Sequence, residues 1–388
     1  MRRAFLVAAT VVACSSRSHD LSTDAGDAPS PDCLAAGTCG LDASADAPIA
    51  TCVPNPANFD VPGNGCDDDG NGVIDDVPSC DAELALQGTP YEFARAIDIC
   101  QIATESQWGI VHASFTNGWN STVEPDAHQH GVLPGFGAVI KPRANARLGV
   151  LSTGYAEEYD RCENAQGKFK DGCRMNGLPV LAPPGYPKAT GGCPLLTNVT
   201  DFITFHLEIK APRNAKGFKF DFDFASSEWP DWVCKQYNDS FVAFLTSGAY
   251  QNGKPGNVAI DANGNPVSVN SGFFDRCSPI GAETFCDAIS KSLQANGYPP
   301  PACAAGAGDL QGTGFDWPGN WCYTDDVTSG GGMTGWLTAQ GPVVPSETIS
   351  LELMIWDTGD WSNDSSVLLD HFRWVADPTA AETNRPPN

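Results

Sequence analysis

The sequence predicts an all-β fold: an antiparallel two-sheet sandwich, jelly-roll-like, with long cysteine-stapled loops, following a disordered N-terminal tether. Three observations lead there. Apolar residues alternate with polar ones over several short runs, Gly, Pro and Asn turn signals separate those runs, and the longest helical pattern is a single segment at residues 285–297. The first fifty residues have a different composition altogether.

At the N-terminus, MRRAFLVAATVVACSS places Arg2 and Arg3 before a short apolar run that is too short to span a bilayer. The stretch resembles a bacterial lipoprotein signal. That resemblance implies that residues 1–13 are removed, that Cys14 carries lipid on its sulfur, and that the chain is held at a membrane. It would then be a cell-envelope protein, an outer-membrane lipoprotein facing the exterior or the periplasm. An ordinary secretory signal with a chance cysteine is the plainer alternative. At the other end, residues 377–388 are polar and read as a disordered tail.

Residues 14–50 are rich in Ser, Asp, Ala, Gly and Pro and contain no aromatic residue. Such a composition cannot bury enough apolar surface to offset chain entropy, so this segment reads as the tether.

Of the fifteen cysteines, fourteen remain once Cys14 is set aside, and none is spaced as C-x-x-C. Disulfides formed in an oxidising compartment are therefore the better reading than a zinc ribbon. Cys33/Cys39, Cys162/Cys173 and Cys277/Cys286 are close enough in sequence to close local loops, although spacing does not fix the pairing.

The 388 residues carry 22 Lys and Arg against 47 Asp and Glu, a net charge of −25. Loss of Arg2 and Arg3 takes this to about −27. A surface so acidic repels phosphate backbones and attracts cations, which disfavours nucleic acid and favours a divalent metal.

Residues 51–81 include CDDDGNGVIDDVPSC. Asp67, Asp69, Asn71, the Val73 carbonyl and Asp75 fall at the ligand positions of an EF-hand-like calcium loop, with Gly72 at its sharp turn. Pro78 stands where the closing Glu belongs, so Asp75 or Asp76 must close the shell. The segment resembles the cysteine-flanked, Asp-rich metal-binding motifs common in secreted myxobacterial proteins. A solvated acidic turn is the bland alternative.

Residues 82–376 are expected to form the sandwich. In FKFDFDF, Phe218, Phe220, Phe222 and Phe224 share one face and Lys219, Asp221 and Asp223 the other, as in a half-buried strand. Phe205, Leu207 and Ile209 form a second inward set, and Ile349, Leu351, Leu353 and Ile355 a third. NVAIDANGNPVSVN reads as a hairpin turning at Asn263-Gly264. Clusters of Gly, Pro and Cys at residues 162–193 and 276–322 mark two long loops.

The strand-loop-strand FKFDFDFASSEWPDWVCKQYNDSFVAFL, with RLGVLSTG, NVAIDANGNPVSVN and ELMIWDTGDWSNDSSVLLDHF in the same order, resembles the bacterial choice-of-anchor L domain family. The resemblance runs from about residue 147 to 374. It departs from the family pattern at Asp231, Trp229 and Trp232 and in the cysteine-rich insert. It implies an extracellular β-rich module, attached to cells by an anchor, with no assigned enzymatic activity.

Read for chemistry, the same loops hold the densest oxygen sets in the sandwich: Glu228, Asn238 and Asp239 in one, Asp357, Asp360 and Asp364 in the other. Calcium needs about six to eight oxygens, usually gathered from loops, so the two loops are expected to meet around a structural calcium. Alternatively, Asn238-Asp239 only caps a turn. Trp229, Trp232, Trp356 and Trp361 beside these loops are candidate platforms for a glycan or a surface-protein partner, or else a roof over the core. His128 and His130 would share a face in a strand and hold a metal, whereas in a polar loop they would not. No H-E-x-x-H, G-x-S-x-G or phosphate-binding loop is present in the sequence. The expectation is a calcium-stabilised, non-enzymatic binding or adhesion module. A polysaccharide hydrolase using Glu228 with Asp357 is the rival, and a passive structural coat protein the third reading.

Overall fold

The computed structural model describes residues 52–156, 177–190, 192–229, 232–277, 303–318, 329–359, 361 and 363–386. Cys14, the tether, Cys33/Cys39, Cys162/Cys173, the 285–297 helix and Asp360 lie outside the described residues.

One short helix, α1 (Pro90–Ala96), precedes the strands. Thr89 and Glu92 form a reciprocal capping box around its first turn, with Pro90 at the position where a missing N–H costs nothing. The strands follow in chain order: β1 (Gly109–Thr116), β2 (His130–Leu133), β3 (Leu148–Ser152), β4 (Val199–Lys210), β5 (Gly217–Ser226) and β6 (Ser240–Thr246). After them come two-residue strands β7 (Gly256–Asn257), β8 (Val267–Ser268), β9 (Arg276–Cys277), β10 (Trp317–Pro318), β11 (Ser329–Gly330) and β12 (Gly332–Met333). The chain then runs through β13 (Leu337–Pro342), β14 (Thr348–Thr358), β15 (Ser365–Val375) and β16 (Glu382–Asn384).

One sheet has the order β1-β4-β14-β6-β7, with β8 also on β6. The other runs β16-β13-β5-β15-β3-β2, with β12 joining β5 and β9. All of these strand pairs are antiparallel. This is the two-sheet sandwich that the alternating pattern predicts.

The three inward sets meet as expected. Phe218, Phe220, Phe222 and Phe224 of one sheet pack with Phe205, Leu207, Ile209, Ile349, Leu351, Leu353 and Ile355 of the other in one core. Each buried Phe contributes about 1.5–3 kcal/mol of hydrophobic stabilisation, so the β5 stripe alone is a substantial share of the fold's stability. The other face of β5 departs from expectation. Asp221 and Asp223 are buried rather than solvated, because a second apolar cluster including Phe136, Ile140, Leu310 and Phe315 covers the outside of that sheet. Asp221 is met there by Arg143, His371 and Arg373; the hydrogen bonds from His371 and Thr338 and the charge of Arg373 hold its carboxyl down to about 2 despite burial. Asp223 has one hydroxyl partner, Thr334, and burial pushes it up to about 7.

Four further expectations are corrected or refined. Cys277 pairs with Cys303, not Cys286, and the other described disulfides are Cys52–Cys66, Cys80–Cys100 and Cys193–Cys234. The Asn263-Gly264 turn forms where predicted, closed by an Ile260 to Pro266 bridge, but its flanking strands β7 and β8 both pair with β6 and not with each other. The 377–388 tail is ordered in part: β16 pairs with β13, and Arg385 reaches the Thr334 and Phe273 carbonyls. The Asp-rich segment belongs to the same compact unit as the sandwich, residues 52–388. Phe59 enters the core, and Asn214 clamps its backbone on both sides.

Candidate functional site

The two loops marked by the sequence do converge, at the end where β5 and β15 of one sheet meet β6 and β14 of the other. β5 delivers Ser226 and then Glu228, β6 begins just after Asn238-Asp239, and β14 carries Asp357. Asp239 is the hinge pin. Its Oδ1 accepts from Thr358 N at 2.9 Å, and its Oδ2 accepts from the Ser365 hydroxyl at 2.8 Å, so one carboxylate joins the two sheets. Glu228 Oε2 accepts from Asp239 N at 3.2 Å. The Ser226 hydroxyl accepts from Glu228 N and shares a hydrogen bond with the Ser365 hydroxyl. Across the joint, the Asp364 carbonyl accepts from Ser227 through its backbone and its hydroxyl.

Asp357 has 0% exposure, and among the described residues neither of its carboxylate oxygens has a hydrogen-bond donor in good geometry. Burial and the neighbouring charges of Asp239, Asp364 and Asp201 push its carboxyl well above the usual range. The Thr153 hydroxyl eases this only partly, because it is already bonded to Ser365. Asn238 is 1% exposed, and its side-chain oxygen and nitrogen have no partner among the described residues either. A buried set of carboxylates is costly unless its members are protonated, paired or metal-bound.

Glu228, Asn238, Asp239, Asp357 and Asp364 thus gather as the sequence suggests. Asp201 and Thr153 join them without having been anticipated. A carboxylate inside the apolar run VTDFITF was the available signal for Asp201, whereas nothing local singles out Thr153. Gly154 is fixed by this cluster: a Cβ there would lie 2.2 Å from Asp364 Oδ2.

The tryptophans divide. Trp229 is buried, stacked on Phe274, and Trp356 is buried, stacked on Phe202, so neither is a ligand platform. Both rings are large enough to fill space beneath a loop, which decides their fate. Trp232 is half-buried with its ring edge-on to Tyr237, and Trp361 is 54% exposed.

In the Asp-rich loop, Asp67 accepts from Gly70 N and Gly72 N, Asp69 from Asn71 N, and Asn71 from Val73 N, a self-capped acidic turn. Carboxylate oxygens of Asp60, Asp67 and Asp69 come within 4.8 Å of one another. Asp60 lies outside the spaced motif and is buried. It accepts from the backbones of Asp68, Asp69 and Asp76, which hold its carboxyl down. Asp75 turns the other way and caps Asn64 and Gly65, while Asp76 receives the Asn71 amide. Cys66 is tied back to Cys52, so the loop is stapled on its N-terminal side.

His128 and His130 do not form a metal pair. Residues 127–129 make a 3₁₀ turn in which Asp126 holds His128, whereas His130 stacks on Phe115 and burial pushes it down to about 4. Glu228 and Asp357 are 1% and 0% exposed, so the carboxyl pair on which a hydrolase would depend does not face a cleft open to a polysaccharide.

No curated protein and no solved structure matches the chain. The family model for the choice-of-anchor L domain matches residues 150–372, spanning β5, β6, β14 and the loops that build the carboxylate joint. The family is one of surface-associated modules and is not an enzyme family. As that match covers more than half of the sequence, the chain belongs to the choice-of-anchor L domain family.

Proposed function

We propose that this chain is a calcium-stabilised, non-enzymatic binding or adhesion module held at the cell envelope by lipid on Cys14. The observation that carries the calcium reading is Asp357, fully enclosed among Asp239, Asp364 and Asp201, with no hydrogen bond in good geometry to either oxygen among the described residues. A divalent cation there neutralises carboxylates that otherwise repel one another. Glu228, Asn238 and Asp239 supply further oxygens of the hard type calcium takes. The ion would lock the two sheets at the joint already pinned by Asp239. A second ion fits the Asp60, Asp67 and Asp69 oxygens. The lipid anchor is supported by the N-terminal sequence alone.

Calorimetry and thermal unfolding of chelated protein with added calcium test the reading. Calcium should bind and raise Tm. Asp357→Asn should raise the Tm of the chelated protein by removing a buried charge, while abolishing most of the calcium response. A Tm that ignores calcium in the wild-type protein would refute the structural-ion proposal.

A further inference from the structure

The outer face of the sheet that contains β1, β4 and β14 carries a polar row. On these three adjacent strands Ala113, Phe115, Phe205, Leu207, Leu351 and Leu353 belong to the core. Because side chains alternate along a strand, His112, Ser114, His206, Glu208 and Glu352 project from the opposite face. The register sets Ser114, His206 and Glu352 side by side across the three strands, with His112 opposite Glu208 one step along.

Two imidazoles and a carboxylate come together there. The His112 and His206 ring centroids are 6.0 Å apart. His206 Nδ1 lies 3.6 Å from Glu352 Oε1, and these side chains are 25% and 21% exposed, so solvent reaches both. That separation is too long for a good hydrogen bond. Two donors bound at about 2.0–2.1 Å to one tetrahedral ion stand about 3.3–3.4 Å apart, and two imidazoles on it have ring centres about 5–6 Å apart. Both observed spacings are close to those of a shared ligand shell. The three donors together are spread wider than ligand distance, and rotation of the exposed His112 side chain closes the set.

Among the described residues the ion-pair partner of Glu352 is His206. Lys210, on the same face of β4, gives its ammonium to the Thr104 and Glu105 carbonyls instead. His206 and Glu352 also line a cavity of about 240 Å³, around which Ser114, Thr116, Ser121 and Thr204 supply hydroxyl groups.

We infer that His112, His206 and Glu352 bind a divalent transition metal of the zinc class. Two imidazoles with one carboxylate are a ligand set that zinc takes, whereas calcium takes oxygens. Three protein ligands leave a fourth position for water or a small oxygen ligand in the hydroxyl-lined cavity, as in an open site and not a closed structural one. The net charge of −25 favours cations at this surface. The site is separate from the carboxylate joint and the Asp-rich loop, so it stands or falls apart from the calcium reading.

The test is a calorimetric titration of the full chain with zinc chloride, in buffer holding excess calcium to occupy all-oxygen sites. One equivalent should bind with a Kd of about micromolar order. His112→Gln, His206→Gln and Glu352→Gln should each weaken it by about tenfold or more, with thermal unfolding in the absence of zinc close to wild type. His128→Gln, in the Asp126 turn, should leave zinc binding unchanged. In NMR spectra of the wild-type protein, two imidazole rings should shift together as zinc is added, a readout that needs no variant.

Zinc binding retained in the His112→Gln/His206→Gln double variant would place the ion elsewhere on the acidic surface and overturn the inference. Complete displacement of zinc by calcium would show a site built from oxygens alone and overturn it as well. So would a wild-type protein with no zinc response. A calcium-induced rise in Tm in that same protein would show that the calcium-stabilised reading survives.

Discussion

Asp239 and Ser365 meet at 2.8 Å across the two sheets, the Ser365 hydroxyl donating to the Asp239 carboxylate whose other oxygen caps Thr358. Buried bonds of this kind are costly to leave half made. Ser365→Ala should destabilise the protein by about 1–3 kcal/mol, because Asp239 and Ser226 both lose a partner. Urea unfolding with the slope unchanged checks this, and a midpoint equal to wild type would show that the contact is not a structural joint.

Gly154→Ala should be as damaging as a core substitution, although it adds one methyl group. The new Cβ would press on Asp364 Oδ2, and overpacking of this kind costs about 1–3 kcal/mol. If the carboxylate is a calcium ligand, the substitution should also reduce the calcium-induced rise in Tm. Thermal unfolding with chelator and with calcium separates the two effects.

Stability should peak on the acid side, at a pH of about 4, because above the ordinary carboxylate range the losses at Asp223 and Asp370 outweigh the gain at His130. Asp223, raised to about 7, and Asp370, raised to about 8 beside Asp98, bind protons more tightly folded than unfolded. Their contribution is fully present below the ordinary carboxylate range and is lost as pH rises through those folded values. On the acid side the signs reverse. Asp221, held down to about 2, and His130, pushed down to about 4, contribute stability that fades as pH falls through those values. Tm measured from pH 3 to 9 should trace this dome, and Asp223→Asn should flatten its alkaline limb. An alkaline limb unchanged in that variant would rule out Asp223 as a source.

Phe220→Ala should cost about 3–5 kcal/mol, since Phe220 is 2% exposed and packs against Phe218 and Phe222. Trp361→Ala should change stability by about 0.5 kcal/mol or less, because its side chain is largely in solvent. Parallel unfolding curves distinguish a core ring from a surface one.

Much of the joint was legible in the sequence because its residue types are costly in their places. Glu228, Asn238, Asp239, Asp357 and Asp364 are oxygen-bearing side chains between strongly apolar strands, and such residues must meet partners when strands bring them inside. Asp201 carried the same signal more faintly, one carboxylate in a single strand. Trp229 and Trp356 could not be assigned from their neighbours, because whether a large ring roofs a core or faces water depends on what the other sheet places above it. Asp60 was hidden for a related reason: it lies outside the spaced motif and reaches the loop only after Phe59 docks in the core.

By itself the sequence determined the two-sheet architecture, the inward stripes and the acidic character, since alternation with period two dictates which side chains share a face. Only the tertiary structure decided that the outer face of β5 is covered, that Cys277 pairs with Cys303, that the Asp-rich loop docks on the sandwich, and that residues 382–384 close a sheet edge. Those outcomes are contacts between segments far apart in the chain. Local periodicity cannot encode them, because they depend on how two packed sheets bring remote loops and carboxylates to the same end.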